Sequence, residues 1–158
     1  MAESLKALIE RIAQPGRLEW IGLRPERRAS VINVEQADVA EAGLVGDRSR
    51  AGKRAITLIQ HEHLASIGAY IGQEAIDPSL LRRNLVVSGI NLLALKERTI
   101  QIGSATLAVT GPCAPCSRME EALGPGGYSA MRGHGGVTAS VVAGGIIKVG
   151  DQVTALPT

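Results

Sequence analysis

Phenylalanine is absent, and the aromatic residues are Trp20, Tyr70 and Tyr128 alone in 158 residues. An interior without large rings must be aliphatic, built from Val, Ile, Leu and Ala. A chain this poor in rings also lacks stacking platforms for bases, which argues against single-stranded nucleic-acid binding. An excess of one charge is missing too: 17 Lys and Arg against 15 Asp and Glu leave a net +2. Nucleic-acid binders concentrate basic charge on one face, and no nucleic-acid partner is expected.

No apolar run approaches the roughly 18 residues of a membrane span. The N-terminal "MAESLKALIERIAQPG" carries Glu3, Lys6, Glu10 and Arg11 where a signal peptide has its apolar core. The expectation is a cytoplasmic protein without membrane contact, its thiols reduced. Cysteine is scarce, with Cys113 and Cys116 the two present. A disulfide between them would close a very small loop and constrain the unfolded chain little.

What is present is the composition of an ordinary globular domain: 45% hydrophobic and 20% charged residues, with 19 glycines. So much glycine suits strands that turn tightly rather than a helical bundle. Residues 4–13 place Leu5, Leu8, Ile9, Ile12 and Ala13 at helical spacing behind a Ser4 cap, and Pro15–Gly16 end the segment. We read residues 1–16 as a helical arm, a candidate homodimer contact, and 17–158 as the main domain.

Short extended pieces dominate the main domain. "RLEWIGLRP" and "ASVINVEQ" form a candidate hairpin; "AITLIQ", "NLVVSGI", "ATLAVTG", "VTASVVAGG" and "DQVTAL" read as further strands. "GGIIKVGD" reads as the turn between the last two, and "EAGLVGDRSRAGKR" and "GPGGYSAMRGHGG" as loops. "HEHLASIGAYIG" spaces Leu64, Ile67, Ala69 and Ile71 as the inner face of a helix. "DPSLLRRN" opens a short one with Asp77 as cap and Pro78 at the first position, and "PCSRMEEAL" reads as another. Strict strand–helix alternation is absent, which disfavours a doubly wound parallel sheet. The expected class is mainly β (α+β): a strand-rich, barrel-like fold with several short peripheral helices.

Chemistry can reside in two places. The first is "TGPCAPCSRMEEAL". A thiol reacts as thiolate, and helix N-termini and nearby cations favour that form. With Pro115 in the first turn of the helix and Arg118 close by, Cys116 is the better nucleophile or soft-metal ligand of the two. The competing reading makes both cysteines small buried apolar residues at a strand–helix corner. A zinc site is disfavoured: one CxxC supplies half of a tetrahedral set, and His61 and His63 point apart on a helix. A thioredoxin-type redox site lacks its βαβ setting.

The second is basic. "GDRSRAGKR" supplies Arg48, Arg50, Lys53 and Arg54, and "LLRRNLVV" places Arg82, Arg83 and Asn84 flush against an apolar strand. Arginine forks bind phosphate by paired hydrogen bonds, and an adjacent amide adds directional donors. Arg50 and Lys53 read as solvated loop charges. Asp47 braces this loop beside Arg48, and Asp151, after a glycine, reads as a turn former. His134 is either a plain loop histidine or a titrating group over a pocket.

The segments "GLVGDR", "KRAITLIQHEHL", "LRRNLVVSGINL", "IGSATLAVTGPCAPCSRMEEAL" and "GGIIKVGDQV" stand in the order found in MOSC domains, named for the C-terminal domain of molybdenum cofactor sulfurases. The resemblance spans Arg17 to Val153. It implies a barrel-like fold with peripheral helices. It implies molybdenum cofactor (molybdopterin) binding with the second cysteine of the CxxC, Cys116, on the metal, and the Arg82–Asn84 run, with Arg48 or Arg54, at the pterin phosphate. Relatives of this kind reduce N-hydroxylated compounds. The alternative implied by the family is a sulfur carrier with a persulfide on Cys116. The sequence holds no pyridoxal-phosphate desulfurase domain, so sulfur would come from a separate cysteine desulfurase, with a molybdoenzyme as a candidate acceptor. A third reading is a non-catalytic module whose basic loops bind a phosphorylated ligand, with the cysteines structural. The amidoxime-reducing relatives carry an extra N-terminal β-domain, replaced here by the short helix.

Overall fold

The computed structural model describes residues 3–158. Helix α1 (Leu5–Glu10) starts at Ser4, whose hydroxyl accepts a hydrogen bond from the Ala7 amide. It is shorter than the 4–13 helix expected from spacing, and Met1 and Ala2 of the expected arm lie outside the described residues. Leu5, Leu8 and Ile9 are exposed. With no buried face, so short a helix is marginal in isolation; its end is tied to the main domain by Arg98, whose Nη1 donates to the Glu10 carbonyl at 2.8 Å.

The strands are, in chain order, β1 (Gly16–Leu23), β2 (Ile32–Val34), β3 (Gln36–Ala40), β4 (Gly43–Leu44), β5 (Ile56–Gln60), β6 (Leu85–Ser88), β7 (Thr99–Ile102), β8 (Ala105–Pro112), β9 (Val137–Ala143), β10 (Gly145–Lys148) and β11 (Gln152–Ala155). Seven of them close a barrel in the order β11-β7-β8-β9-β5-β6-β1, with β1 returning to β11 at Gly16–Val153 and Arg17–Gln152. β2 extends β1 as the expected hairpin. Within the barrel β5 and β6 run parallel, and the other pairs are antiparallel. The mainly β, barrel-like class read from the sequence is the fold observed. Closure matters physically, because it removes the unpaired edges of an open sheet.

The barrel is filled by aliphatic side chains, among them Leu18, Ile21, Leu58, Leu85, Val87, Ile100, Ile102 and Leu107, each at most 1% exposed. Lack of phenylalanine fits this narrow interior, where branched side chains interdigitate. A second cluster lies outside the barrel wall, where Ile59 and Val86 meet Leu64 and Ile67 of α2 (His61–Tyr70), Leu81 of α3 (Pro78–Leu81), Met119 of α4 (Arg118–Leu123) and Ala130 and Met131 of α5 (Gly127–Met131). β5 is therefore buried on both faces and reads as a continuous apolar run rather than an alternating one. In α2 the third buried position is Gly68, and Ala69, expected inward, is exposed.

Two segments differ from expectation. "GGIIKVGD" contains β10, which pairs with β3 in a small second sheet, β10-β3-β4. Ile147, 1% exposed in the main core, anchors it there. "GPGGYSAMRGHGG" contains α5, held by the Glu120 carboxylate, which accepts from the Gly126 and Tyr128 amides. Glycine-rich composition signalled loops in both cases, but tertiary burial decided otherwise. Among the described residues no helix is long and apolar enough to cross a membrane.

Candidate functional site

Four connections converge at one end of the barrel: the exit of β1, the loop between β4 and β5, the junction of α3 with β6, and the loop from β8 to α4. They enclose a cleft of about 260 Å³ whose walls carry Arg24, Arg48, Arg54, Arg82, Arg83 and Arg118. The lining includes no carboxylate, and Cys113 and Cys116 both face the hollow. The two basic runs noted in the sequence therefore meet, and they meet at the cysteines.

Asn84 is the keystone beneath this cleft. It is fully buried, and its side-chain oxygen accepts from the Thr57 amide at 3.0 Å while its NH2 donates to the Gly22 carbonyl at 3.1 Å. It does not line the cleft. Its role is to fix the positions of Arg24, whose Nη2 lies 3.4 Å from the same oxygen, and of the neighbouring Arg82 and Arg83. The Asp47 carboxylate, buried with 0% side-chain exposure, grips Arg24 Nη2 at 2.9 Å. Burial pushes the Asp47 carboxyl up, but hydrogen bonds from Arg24 and its charge outweigh it, leaving the group below its usual value. Asp47 thus braces the basic site, through Arg24 rather than through Arg48.

Arg82 caps α3 in the left-handed conformation, φ 55. Its guanidinium donates to the Ala29 and Glu26 carbonyls of the β1–β2 turn. Burial, then the charges of Arg24, Arg118 and Arg48, pull its pKa below the ordinary arginine value and outweigh the opposing charge of Asp47. Arg83 is 7% exposed; Nε donates to the Gly135 carbonyl at 2.9 Å and Nη1 to the Leu81 carbonyl at 3.0 Å. Its Nη2 is buried with no partner. Burial disfavours its charge most, and the Cys113 and Cys116 sulfurs, when ionised, oppose that effect. An orphaned buried donor is rare and asks for an acceptor.

Cys113 is 4% exposed and Cys116 is exposed. Cys116 does not lie in the first turn of a helix as its spacing implied: α4 begins at Arg118, and Cys116 precedes the Ser117 cap. Its carbonyl accepts from the Met119 amide at 3.0 Å, so its backbone forms the turn that launches the helix. The loop is tied from behind, since the Cys113 amide donates to the Gly136 carbonyl at 2.8 Å. Gly135 lies so close that a Cβ there would collide with the Cys113 carbonyl.

Arg50 and Lys53 are exposed and lie outside the cleft, in keeping with solvated charges. Asp151 forms the expected turn, accepting from the Lys148 amide at 2.8 Å. His134 meets His63, Nδ1 to Nδ1 at 3.3 Å, and does not line the cleft. Among the described residues no group of three or more His, Cys, Asp or Glu is placed to hold a metal ion. Sequence reasoning missed Arg24. Its signal was there: an arginine flush against an apolar strand and followed by proline, the same feature that drew attention to Arg82.

A family model described as MOSC domain matches residues 2–154. A comparison with curated proteins gives no match. Among solved structures, the YuaD protein of Bacillus subtilis aligns at 21% identity and a TM-score of 0.76, over 89% of this chain and 94% of that one. YiiM of Geobacillus stearothermophilus aligns at 17% identity and a TM-score of 0.76, over 90% and 76% of the two chains. YiiM of Escherichia coli aligns at 20% identity and a TM-score of 0.71, over 90% and 70%. At such identities these likenesses concern the fold.

Proposed function

The chain belongs to the MOSC domain family, and on that premise we propose that its arginine-walled cleft binds the molybdenum cofactor, with the Cys116 sulfur on the metal. The observation that carries this reading is that exposed Cys116 lines one hollow with Arg24, Arg48, Arg54, Arg82 and Arg83, with no carboxylate among the lining residues. A soft sulfur beside cationic donors suits a group with a thiophilic metal at one end and a phosphate at the other.

Arg83, Arg82, Arg48 and Arg54 would hold the phosphate, and Asn84 with Asp47 would orient Arg24 and the α3–β6 junction from below. Bound there, the cofactor would supply two-electron redox chemistry, and by the family resemblance the loaded protein reduces N-hydroxylated small molecules. Cys116 contributes a fixed ligand, since its backbone is pinned into the start of α4.

A second reading, a persulfide carrier, is favoured by the exposure of Cys116, which leaves the sulfur open to a protein-sized donor such as a cysteine desulfurase. The cationic wall would stabilise the persulfide anion. One experiment separates the two. The protein and its Cys116→Ser variant are expressed in a host that makes the cofactor, and molybdenum and pterin are measured. Cofactor binding gives molybdenum in the wild type and a strong loss in the variant. Equal metal in both removes Cys116 as ligand. A metal-free protein that gains the mass of one sulfur on Cys116 after incubation with a desulfurase and cysteine supports the carrier instead.

A further inference from the structure

Outside the cleft, on the far side of Arg82 and Arg118, lies a second hollow of about 510 Å³. It shares Arg82, Arg118 and Met119 with the cleft and adds Arg27 and Arg28. Eight guanidinium groups thus line two connected hollows, opposed by one carboxylate in the linings, that of exposed Glu121, while Asp47 is engaged by Arg24. One phosphate monoester brings a charge of only about −1.5 to −2. So much arginine is in excess of a single phosphate.

The backbone also holds these cations in place. Arg28 and Arg82 both adopt positive φ, 65 and 55, a region that non-glycine residues seldom occupy and that clusters at binding sites. The Arg82 guanidinium fastens the Glu26–Ala29 turn to α3, so Arg27 and Arg28 cannot drift from Arg118 without breaking those bonds. The same lining includes Leu80, 47% exposed, and exposed Ala122, which give it an apolar patch. Paired arginines beside an apolar patch, in a hollow of small-molecule size, match a diphosphate joined to a sugar and base better than a peptide, which needs a longer track.

We propose that this outer groove is a second anion subsite that takes the diphosphate of a nucleotide, its base lying against Leu80 and Ala122. Arg82 and Arg118, shared by both hollows, contact the ligand from the middle. The subsite stands whatever fills the inner cleft: its test reads nucleotide binding, not molybdenum.

Calorimetric titration of the whole chain with ADP and with orthophosphate, at low salt, tests the groove. ADP is expected to bind about tenfold more tightly than orthophosphate. Arg28→Gly accepts the positive φ without strain, so the fold is retained; it is expected to weaken ADP about tenfold and leave orthophosphate within about twofold. Arg54→Ala, in the inner cleft, is expected to weaken orthophosphate more than ADP. Equal affinity for the two ligands, or ADP binding indifferent to Arg28→Gly, overturns the proposal. So does a poly-glutamate peptide that binds while ADP does not, which would make the groove a protein-docking surface.

Discussion

The Asp47 carboxylate holds Arg24 by three hydrogen bonds: to its backbone amide at 2.7 Å, to Nε at 3.1 Å and to Nη2 at 2.9 Å. The Asp47 side chain is wholly buried and that of Arg24 about one-fifth exposed. This pair joins the β4–β5 loop to the exit of β1 and sets one wall of the cleft. Removing one member of a buried pair leaves the other uncompensated, which costs about 3–5 kcal/mol when both are fully buried.

For Asp47→Asn the expected loss is smaller, roughly 2–4 kcal/mol, because water still reaches Arg24. In a chain of this size that lowers Tm by roughly 5–15 °C. The sign with pH follows from a folded-state pKa below the ordinary 3.8. Its stabilisation is fully present above 3.8 and is lost as pH falls through the lower folded value. The wild-type advantage over Asp47→Asn should therefore shrink on acidification below about pH 4. Thermal melts at pH 7 and in strong acid check this, and identical melts at pH 7 would contradict it.

Asn84→Ala is expected to destabilise the fold by roughly 2–4 kcal/mol, since it strands the Thr57 amide and the Gly22 carbonyl in the interior. Urea denaturation measures the loss. A near-neutral result would mean that Asn84 is not the internal brace described above.

The barrel was legible because its strands alternate or run apolar at lengths that glycine turns punctuate. The hairpin of β1 and β2, buried β5 and the capped α3 all carry local signals strong enough to read. Segments whose state depends on distant partners were not legible. Ile147 makes β10 a strand because β3 lies beside it, and Met131 makes α5 a helix because α2 and α4 offer it a pocket. At the site, sequence showed which residue types were available and not their depth. Arg83 and Asn84 are neighbours in the chain, yet one borders the cleft and the other is sealed beneath it. Cys116 was placed one turn too deep in α4 because Pro115 resembles a helix start.

Arg83 offers a sharper test of the cleft. Arg83→Met keeps most of the aliphatic volume but deletes the unpartnered Nη2 and the bonds to the Gly135 and Leu81 carbonyls. Orthophosphate affinity should fall about tenfold, worth about 1.4 kcal/mol, as titration calorimetry would read. Unchanged affinity would show that Nη2 faces no bound anion.

The loop that supports Arg83 is tied to His63, whose titration its surroundings displace. His134 meets His63 at 3.3 Å, with rings 4.7 Å apart and edge-on. The carbonyls of the next two residues, Gly135 and Gly136, accept from Arg83 and from the Cys113 amide. Burial and then the His134 charge hold the His63 pKa below 6.5, against a weaker upward pull from Glu62. The neutral ring is therefore preferred in the folded state. Above 6.5 neutral His63 carries no penalty; as pH falls through 6.5 this group takes up its proton first in the unfolded chain, and stability declines until the folded value is passed. His63 is partly exposed, so the loss is modest, at most about 1 kcal/mol. Melting curves between pH 7.5 and about pH 5 should show a decline that His63→Gln flattens, together with a matching weakening of the binding of sulfate, whose charge is constant over this range, as the 134–136 loop loosens. A decline of unchanged slope in the variant would assign it to other groups and uncouple this pair from the cleft.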